Sequence, residues 1–200
     1  MDLWLATTNS GKILELKQAL SQYPFTIHTV NELRGFSAPP ETGKTFVENA
    51  LIKAKSLHAI KNTSWVLADD SGLIVDGLNG LPGVHSARYA GERASDGENT
   101  AKLLKMMQLR SPLQRTARFV CSIVAFSPKG EKVVCEGKME GEIGKSQKGT
   151  AGFGYDPVFI PQGMTQTLAE LTPLIKNQIS HRAQALKQFL EFVRGLDAKD

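Results

Sequence analysis

The sequence predicts an α/β protein built on a mixed sheet with helices packed against it. Two observations carry this: strand-like apolar runs alternate with helical periodicity through the first hundred residues, and a hairpin-like pair of runs follows. The first unit is an apolar run at residues 3–7, a tight loop, then Ile13, Leu14, Leu16, Ala19 and Leu20 at helical spacing. A second strand is expected over residues 25–30, before an irregular stretch with Gly35, Pro39 and Pro40 that ends in Glu41-Thr42-Gly43. Thr45 and Glu48 have capping-box spacing, and Val47, Leu51, Ala54 and Leu57 make the apolar stripe of a helix reaching about Ile60. A strand over residues 65–68 is expected to stop at Asp69-Asp70-Ser71-Gly72, with another over residues 73–75 before a Gly-rich turn at 77–83.

Residues 95–107 have helical periodicity, and residues 116–126 and 132–140 read as an antiparallel pair joined through Ser127-Pro128-Lys129-Gly130. Thr172-Pro173 has the form of an N-cap with proline in the first helical position. Ser180 is expected to cap a last helix whose Leu186, Phe189, Leu190 and Val193 face the core. With no long Pro, Ser or Gly tract to hinge a second domain, residues 1–200 are expected to form a single domain, its cleft lying between two lobes.

At 41% hydrophobic and 22% charged residues, the chain has enough apolar material for a core, which excludes a disordered class. The N-terminal apolar run is too short for a signal segment and no stretch approaches a membrane span, so a cytoplasmic protein without membrane association is expected. Cys121 and Cys135 lack ligand or CxxC spacing and are read as buried thiols. The net charge of +4 suits an anionic ligand. Because the basic residues are scattered and not interleaved with aromatics, a small polyphosphate suits the chain better than nucleic acid.

Several segments carry chemistry. Thr8-Asn9-Ser10-Gly11-Lys12 joins strand to helix, where free backbone N–H groups and the helix dipole favour an anion. It is not a Walker A sequence, since Ile13 stands where Ser or Thr would hold magnesium, and a Ser-Gly-Lys turn also starts ordinary helices. Asp69 and Asp70 are adjacent, so in extended backbone they point to opposite faces. One is expected to bind a hard metal or activate water, the other to accept backbone or Ser and Thr hydrogen bonds. Glu41 supplies a second acid, and two acids suffice for magnesium, which completes its shell with water and phosphate. Lys53 shares a helix face with Asn49, as a solvated lysine or one that reaches the site. Phe153-Gly154-Tyr155-Asp156, after Gly149 and Gly152, can stack on a base and bond its edge, or anchor aromatics in the core. His181 and Arg182 open a helix, where cations oppose the dipole, a local conflict that points to function.

Together these segments resemble the Ham1/RdgB family of inosine-triphosphate pyrophosphatases. The resemblance rests on Ala6-Thr7-Thr8-Asn9-Ser10-Gly11-Lys12, Glu41-Thr42-Gly43, Thr45-Phe46-Val47-Glu48-Asn49-Ala50, Ala68-Asp69-Asp70-Ser71-Gly72-Leu73, Gly80-Leu81-Pro82-Gly83, Ser86-Ala87-Arg88-Tyr89, residues 152–157 and Ser180-His181-Arg182. It implies an elongated, two-lobed Maf/Ham1-like architecture with a central mixed sheet, a substrate cleft, and a homodimer. It also implies hydrolysis of ITP, dITP and XTP to monophosphate and pyrophosphate with Mg2+ as cofactor. In that likeness Thr7, Thr8, Asn9, Ser10, Gly11, Lys12 and Lys53 meet the triphosphate, and Glu41 and Asp70 bind magnesium. Asp70 also matches the proton acceptor, and Ser71, Phe153, Gly154, Tyr155, Asp156, Lys176, His181 and Arg182 match substrate-binding positions. Donors from His181, Arg182 or neighbouring backbone aimed at a 6-keto oxygen would reject adenine, whose 6-amino group is itself a donor. The alternatives are a Maf-like pyrophosphatase of other base specificity and a basic nucleic-acid-binding domain.

Overall fold

The computed structural model describes residues 1–197; the end of the expected 1–200 domain lies outside the described residues. The elements are β1 (Asp2–Leu5), α1 (Ser10–Leu20), β2 (Thr26–Thr29), α2 (Phe46–His58), β3 (Trp65–Val75), α3 (Asp96–Arg110), β4 (Thr116–Phe126), β5 (Lys132–Ile143), β6 (Phe159–Pro161), α4 (Pro173–Ile179) and α5 (His181–Asp197). The sheet has the order β2-β1-β3-β4-β5-β6. It is mixed: β1 runs parallel to β2 and β3, with Leu3 opposite both Ile27 and Trp65, whereas β5 and β6 are antiparallel. Parallel neighbours need long crossovers, and α1 and α2 supply them.

The chain forms two compact units. One comprises Met1–Asp70, Cys121–Gly137 and the chain from Arg182; the other comprises Ser71–Val120 and Lys138–His181. In the first unit β1 is buried on both faces. Leu3 and Leu5 join Leu16, Leu20, Trp65, Leu67, Leu186 and Phe189, while Trp4 and Ala6 join Ala50, Ala54, Leu57 and Val66. A strand covered on both faces reads as an unbroken apolar run, because alternate side chains serve opposite cores. α2 begins where the capping box predicts, with Thr45 Oγ1 accepting from the Glu48 amide and Glu48 accepting from the Thr45 amide. The second unit packs Leu73, Val75, Leu103, Met107, Phe119, Ile143, Tyr155 and Phe159. Both cysteines are free and buried; burial pushes the Cys121 thiol up to about 12 and Cys135 up to about 11.

One local expectation changes. β3 does not stop at Ala68 but runs unbroken through the paired aspartates to Val75. Buried polar side chains are tolerated inside a strand when partners satisfy them, and basic side chains do so here. The strand β6 follows a Gly-rich connection too short in apolar residues to announce it. Ser180 stands where the N-cap of the last helix is expected, in extended backbone immediately before α5 begins at His181, and it also ends α4, its N–H donating to the Lys176 carbonyl.

His28 on β2 stacks on Trp4 with ring centroids 4.6 Å apart, and its two ring nitrogens face Glu32 Oε2 at 3.0 Å and Asp2 Oδ1 at 3.1 Å. Hydrogen bonds to Glu32 and then Asp2 raise its pKa. The stabilisation is therefore complete below the unfolded value of about 6.5 and fades as pH rises through the higher folded value. Thermal melts from pH 6 to pH 9 should show the parent losing its advantage over His28→Gln; a constant gap across that range would exclude this contribution.

Candidate active site

Within the first unit, two clusters of opposite charges gather around the neighbouring aspartates of β3. The first centres on Lys53, placed on α2 four residues after Asn49 and so on the same helix face. Lys53 is 8% exposed, not a solvated lysine. Its Nζ lies 3.1 Å from Glu41 Oε1 and 3.0 Å from Asp70 Oδ1, while Asn49 Nδ2 donates to Asp70 Oδ2 at 3.3 Å. Asn49 is itself held, since its Oδ1 accepts from the Gly43 amide at 2.8 Å. A Cβ on Gly43 would meet Glu48 Cβ at 2.6 Å and Asn49 Oδ1 at 2.7 Å, so glycine lets the Glu41 loop approach the helix. Burial raises the Asp70 carboxyl; Lys53 and Lys12 oppose that rise and Glu41 adds to it. Burial likewise works against the Lys53 ammonium, but Asp70, Asp69 and Glu41 together hold it above its ordinary value.

These residues fit a hard divalent cation. Two carboxylates already converge on one cationic atom, and all the donors are oxygen. Among the described residues no group of three or more His, Cys, Asp and Glu side chains forms a metal cage. Two carboxylates match magnesium, which keeps several positions for water and phosphate.

The second cluster centres on Asp69. Lys12 Nζ stands 3.0 Å from Asp69 Oδ2, and Arg182 Nε and Nη2 each stand 3.4 Å from the same oxygen. Arg182 Nη1 also pairs with Glu15. Asp69 is thus a cation anchor. Burial works to raise its pKa, but Lys12, Arg182 and Lys53 outweigh burial and hold it well below the usual carboxylate range. Lys12 is paired, and its side chain is only 13% exposed. It follows the start of α1, where Asn9 Oδ1 accepts from the Lys12 amide at 3.0 Å and the Asn9 amide donates to Thr7 Oγ1 at 3.2 Å. Thr7, Thr8, Asn9, Ser10 and Gly11 therefore form the turn and first helical residues that aim backbone N–H groups outward from the helix start.

Sequence reasoning did not single out Glu15. It falls three residues after Lys12 and so shares its helix face, which is the signal that would have found it.

Within the second unit, Phe153, Gly154, Asp156 and Lys176 come together. Lys176 Nζ is 2.5 Å from Asp156 Oδ2 and 4.9 Å from the Phe153 ring centroid, and the Phe153 amide donates to Asp156 Oδ2 at 2.9 Å. Tyr155 turns into the core, where its hydroxyl donates to the Ser86 carbonyl at 2.8 Å and burial raises its pKa. His181 is buried and stacks on Phe119 at 4.8 Å with 9° between the rings. Ser71 follows Asp70 directly on β3 and is half-buried.

Gly152 has φ +78°, and a Cβ there would meet Asp156 Oδ2 at 2.0 Å and Lys176 Nζ at 3.2 Å. Gly152→Ala should therefore displace Asp156 and strain the backbone, at a cost of about 2–3 kcal/mol. Urea titration checks this, and an unchanged midpoint would show that the loop absorbs the methyl group.

The Ham1 family profile matches residues 3–192. A dITP/XTP pyrophosphatase of Bdellovibrio bacteriovorus is 55% identical over 192 residues, 96% of each chain. A dITP/XTP pyrophosphatase of Bacillus subtilis is 45% identical over 191 residues, again 96% of each. The solved structure of the Staphylococcus aureus Ham1 protein is 40% identical and superposes with a TM-score of 0.84, covering 98% of this chain and 99% of that one.

Proposed function

The chain belongs to the Ham1 family, and from that premise we propose that it hydrolyses non-canonical purine nucleoside triphosphates, dITP, ITP and XTP, to the monophosphate and pyrophosphate. The observation that carries the reading is Lys53 gripped by Glu41 and Asp70, with Asn49 on the other Asp70 oxygen. Such a cluster gathers one cation and two hard-metal ligands, the set a polyphosphate and its counterion require. The names of the curated relatives give the substrate class.

Glu41 and Asp70 would hold magnesium, which supplies Lewis-acid polarisation of phosphate oxygens when bound. Asp70 accepts the proton of the water that attacks the α phosphorus, the role that a carboxylate beside the polyphosphate can fill. Lys12 and Lys53 offset the charge that develops on the departing pyrophosphate. The N–H groups at the start of α1, with Thr7, Thr8, Asn9, Ser10 and Gly11, take the phosphate tail. Ser71, Phe153, Gly154, Asp156, Lys176, His181 and Arg182 supply substrate contacts, with Phe153 as the stacking surface and Tyr155 as the inward pillar of its loop. Arg182 is stationary between Asp69 and Glu15, and a fixed donor discriminates a keto oxygen from an amino group better than a mobile one.

No described helix is long and apolar enough to cross a membrane. The reading includes one catalytic domain, a cytoplasmic place of work, no nucleic-acid partner and a homodimer with residues 80–89 as a surface, which sedimentation at micromolar concentration would check. The decisive experiment is a panel of dITP, XTP, ITP, ATP and GTP with magnesium and product identification. Monophosphate and pyrophosphate from the first three, with slow turnover of the last two, is the expected result. Release of orthophosphate with a diphosphate product would replace this reading by a phosphohydrolase, and preference for ATP or GTP would replace it by the Maf-like pyrophosphatase of other base specificity.

A further inference from the structure

We propose that Asp96, at the start of α3, is a positioning residue that sets the direction of the Phe153 ring and thereby the affinity for the purine base. The inference rests on the assignment of Phe153 to the base made above. The Phe153 amide donates to Asp156 Oδ2 at 2.9 Å, and the next amide, of Gly154, donates to Asp96 Oδ2 at 2.7 Å. Those amides belong to the two peptide planes that flank the Phe153 Cα. Peptide planes are rigid, so holding both fixes φ and ψ of Phe153 and with them the line along which its side chain leaves the backbone. Asp156 is buried and tied to Lys176; Asp96 is exposed and reaches the loop from a separate helix.

The α3 end of this clamp is well founded. Ser95 Oγ accepts from the Glu98 amide and Glu98 Oε2 accepts from the Ser95 amide, so the helix start is capped without Asp96. The Asp96 carboxylate is left for the loop, at the helix end where the dipole favours an anion. Asn99 ties the same turn down by donating to the Ala87 carbonyl at 3.1 Å and accepting from the Ala90 amide at 2.7 Å. Thr100 gives its hydroxyl proton to the Asp96 carbonyl at 2.8 Å and sits 3.3 Å from the Gly154 carbonyl. Gly154 itself has φ +61°, and a Cβ there would find open space. Its glycine therefore serves the left-handed backbone that turns its N–H toward Asp96.

Asp96→Ala removes the acceptor, whereas Asp96→Asn keeps an oxygen that can take the Gly154 N–H. With stacking weakened, Asp96→Ala should raise KM for dITP about tenfold while kcat changes far less. The inhibition constant of inorganic triphosphate, which has no base, should stay at the parental value, and Asp96→Asn should restore most of the affinity. A parallel rise in KM and in the triphosphate constant would show general loosening and overturn the proposal, as would an Asn variant as weak as Ala. Amide exchange of residues 153–155 gives a readout that needs no turnover: Asp96→Ala should accelerate it about tenfold or more. Unchanged exchange there sinks the clamp, whereas a parental chain that fails to hydrolyse dITP sinks only the functional reading on which the base effect depends.

Discussion

Asp70→Asn should lower dITP turnover by about a thousandfold or more while the protein remains folded, because the roles proposed for Asp70 are base and metal ligand, and loss of a general base alone costs ~10²–10⁴. The amide is the same size as the carboxylate, so no cavity opens. Lys53 keeps Glu41 as a partner, which limits the cost to stability. What disappears is the negative charge that pairs with Lys53 and that a divalent cation would need beside Glu41. Pyrophosphate release under single-turnover conditions, with a melting curve alongside, separates chemistry from folding. Parental turnover in this variant would remove Asp70 from the mechanism. In the parent, burial and Glu41 raise the Asp70 pKa against the pull of Lys53 and Lys12.

Asp69→Asn should instead act on stability. The Asp69 side chain is fully buried and faces both Lys12 and Arg182; Asn would take the Asp69 charge from Lys12 and leave Arg182 with Glu15. Breaking a buried pair from one side costs about 3–5 kcal/mol, since the remaining charge stays desolvated. For a chain of this size that corresponds to a fall in Tm of roughly 10 °C. Burial opposes ionisation of Asp69, yet Lys12, Arg182 and Lys53 prevail and its folded pKa is depressed. The contribution is therefore complete above the unfolded value of about 3.9 and is lost as pH falls through the lower folded value. The gap between parent and variant should be full at pH 7 and close in strong acid. A variant that melts with the parent at pH 7 would show that Glu15 alone satisfies Arg182 and that Lys12 needs no buried partner.

What the sequence by itself determined is what local physics governs. The apolar run of β1, the capping box of α2, the Thr172-Pro173 start of α4 and the strand β4 appear where periodicity and capping place them, because hydrogen bonds and burial patterns there are settled within a few residues. Family motifs named the positions at which charges would gather. Only the tertiary structure decided which charges meet. Arg182 reaches Asp69 across 113 residues of sequence and Lys53 reaches Asp70 across 17, distances over which spacing carries no information about contact. For the same reason β3 was legible as two fragments: Asp69 and Asp70 look like a strand end until Lys12, Arg182, Lys53 and Asn49 arrive to satisfy them. Burial of a carboxylate is prohibitive alone and tolerable when paired, so the course of the strand depended on partners that only folding brings near.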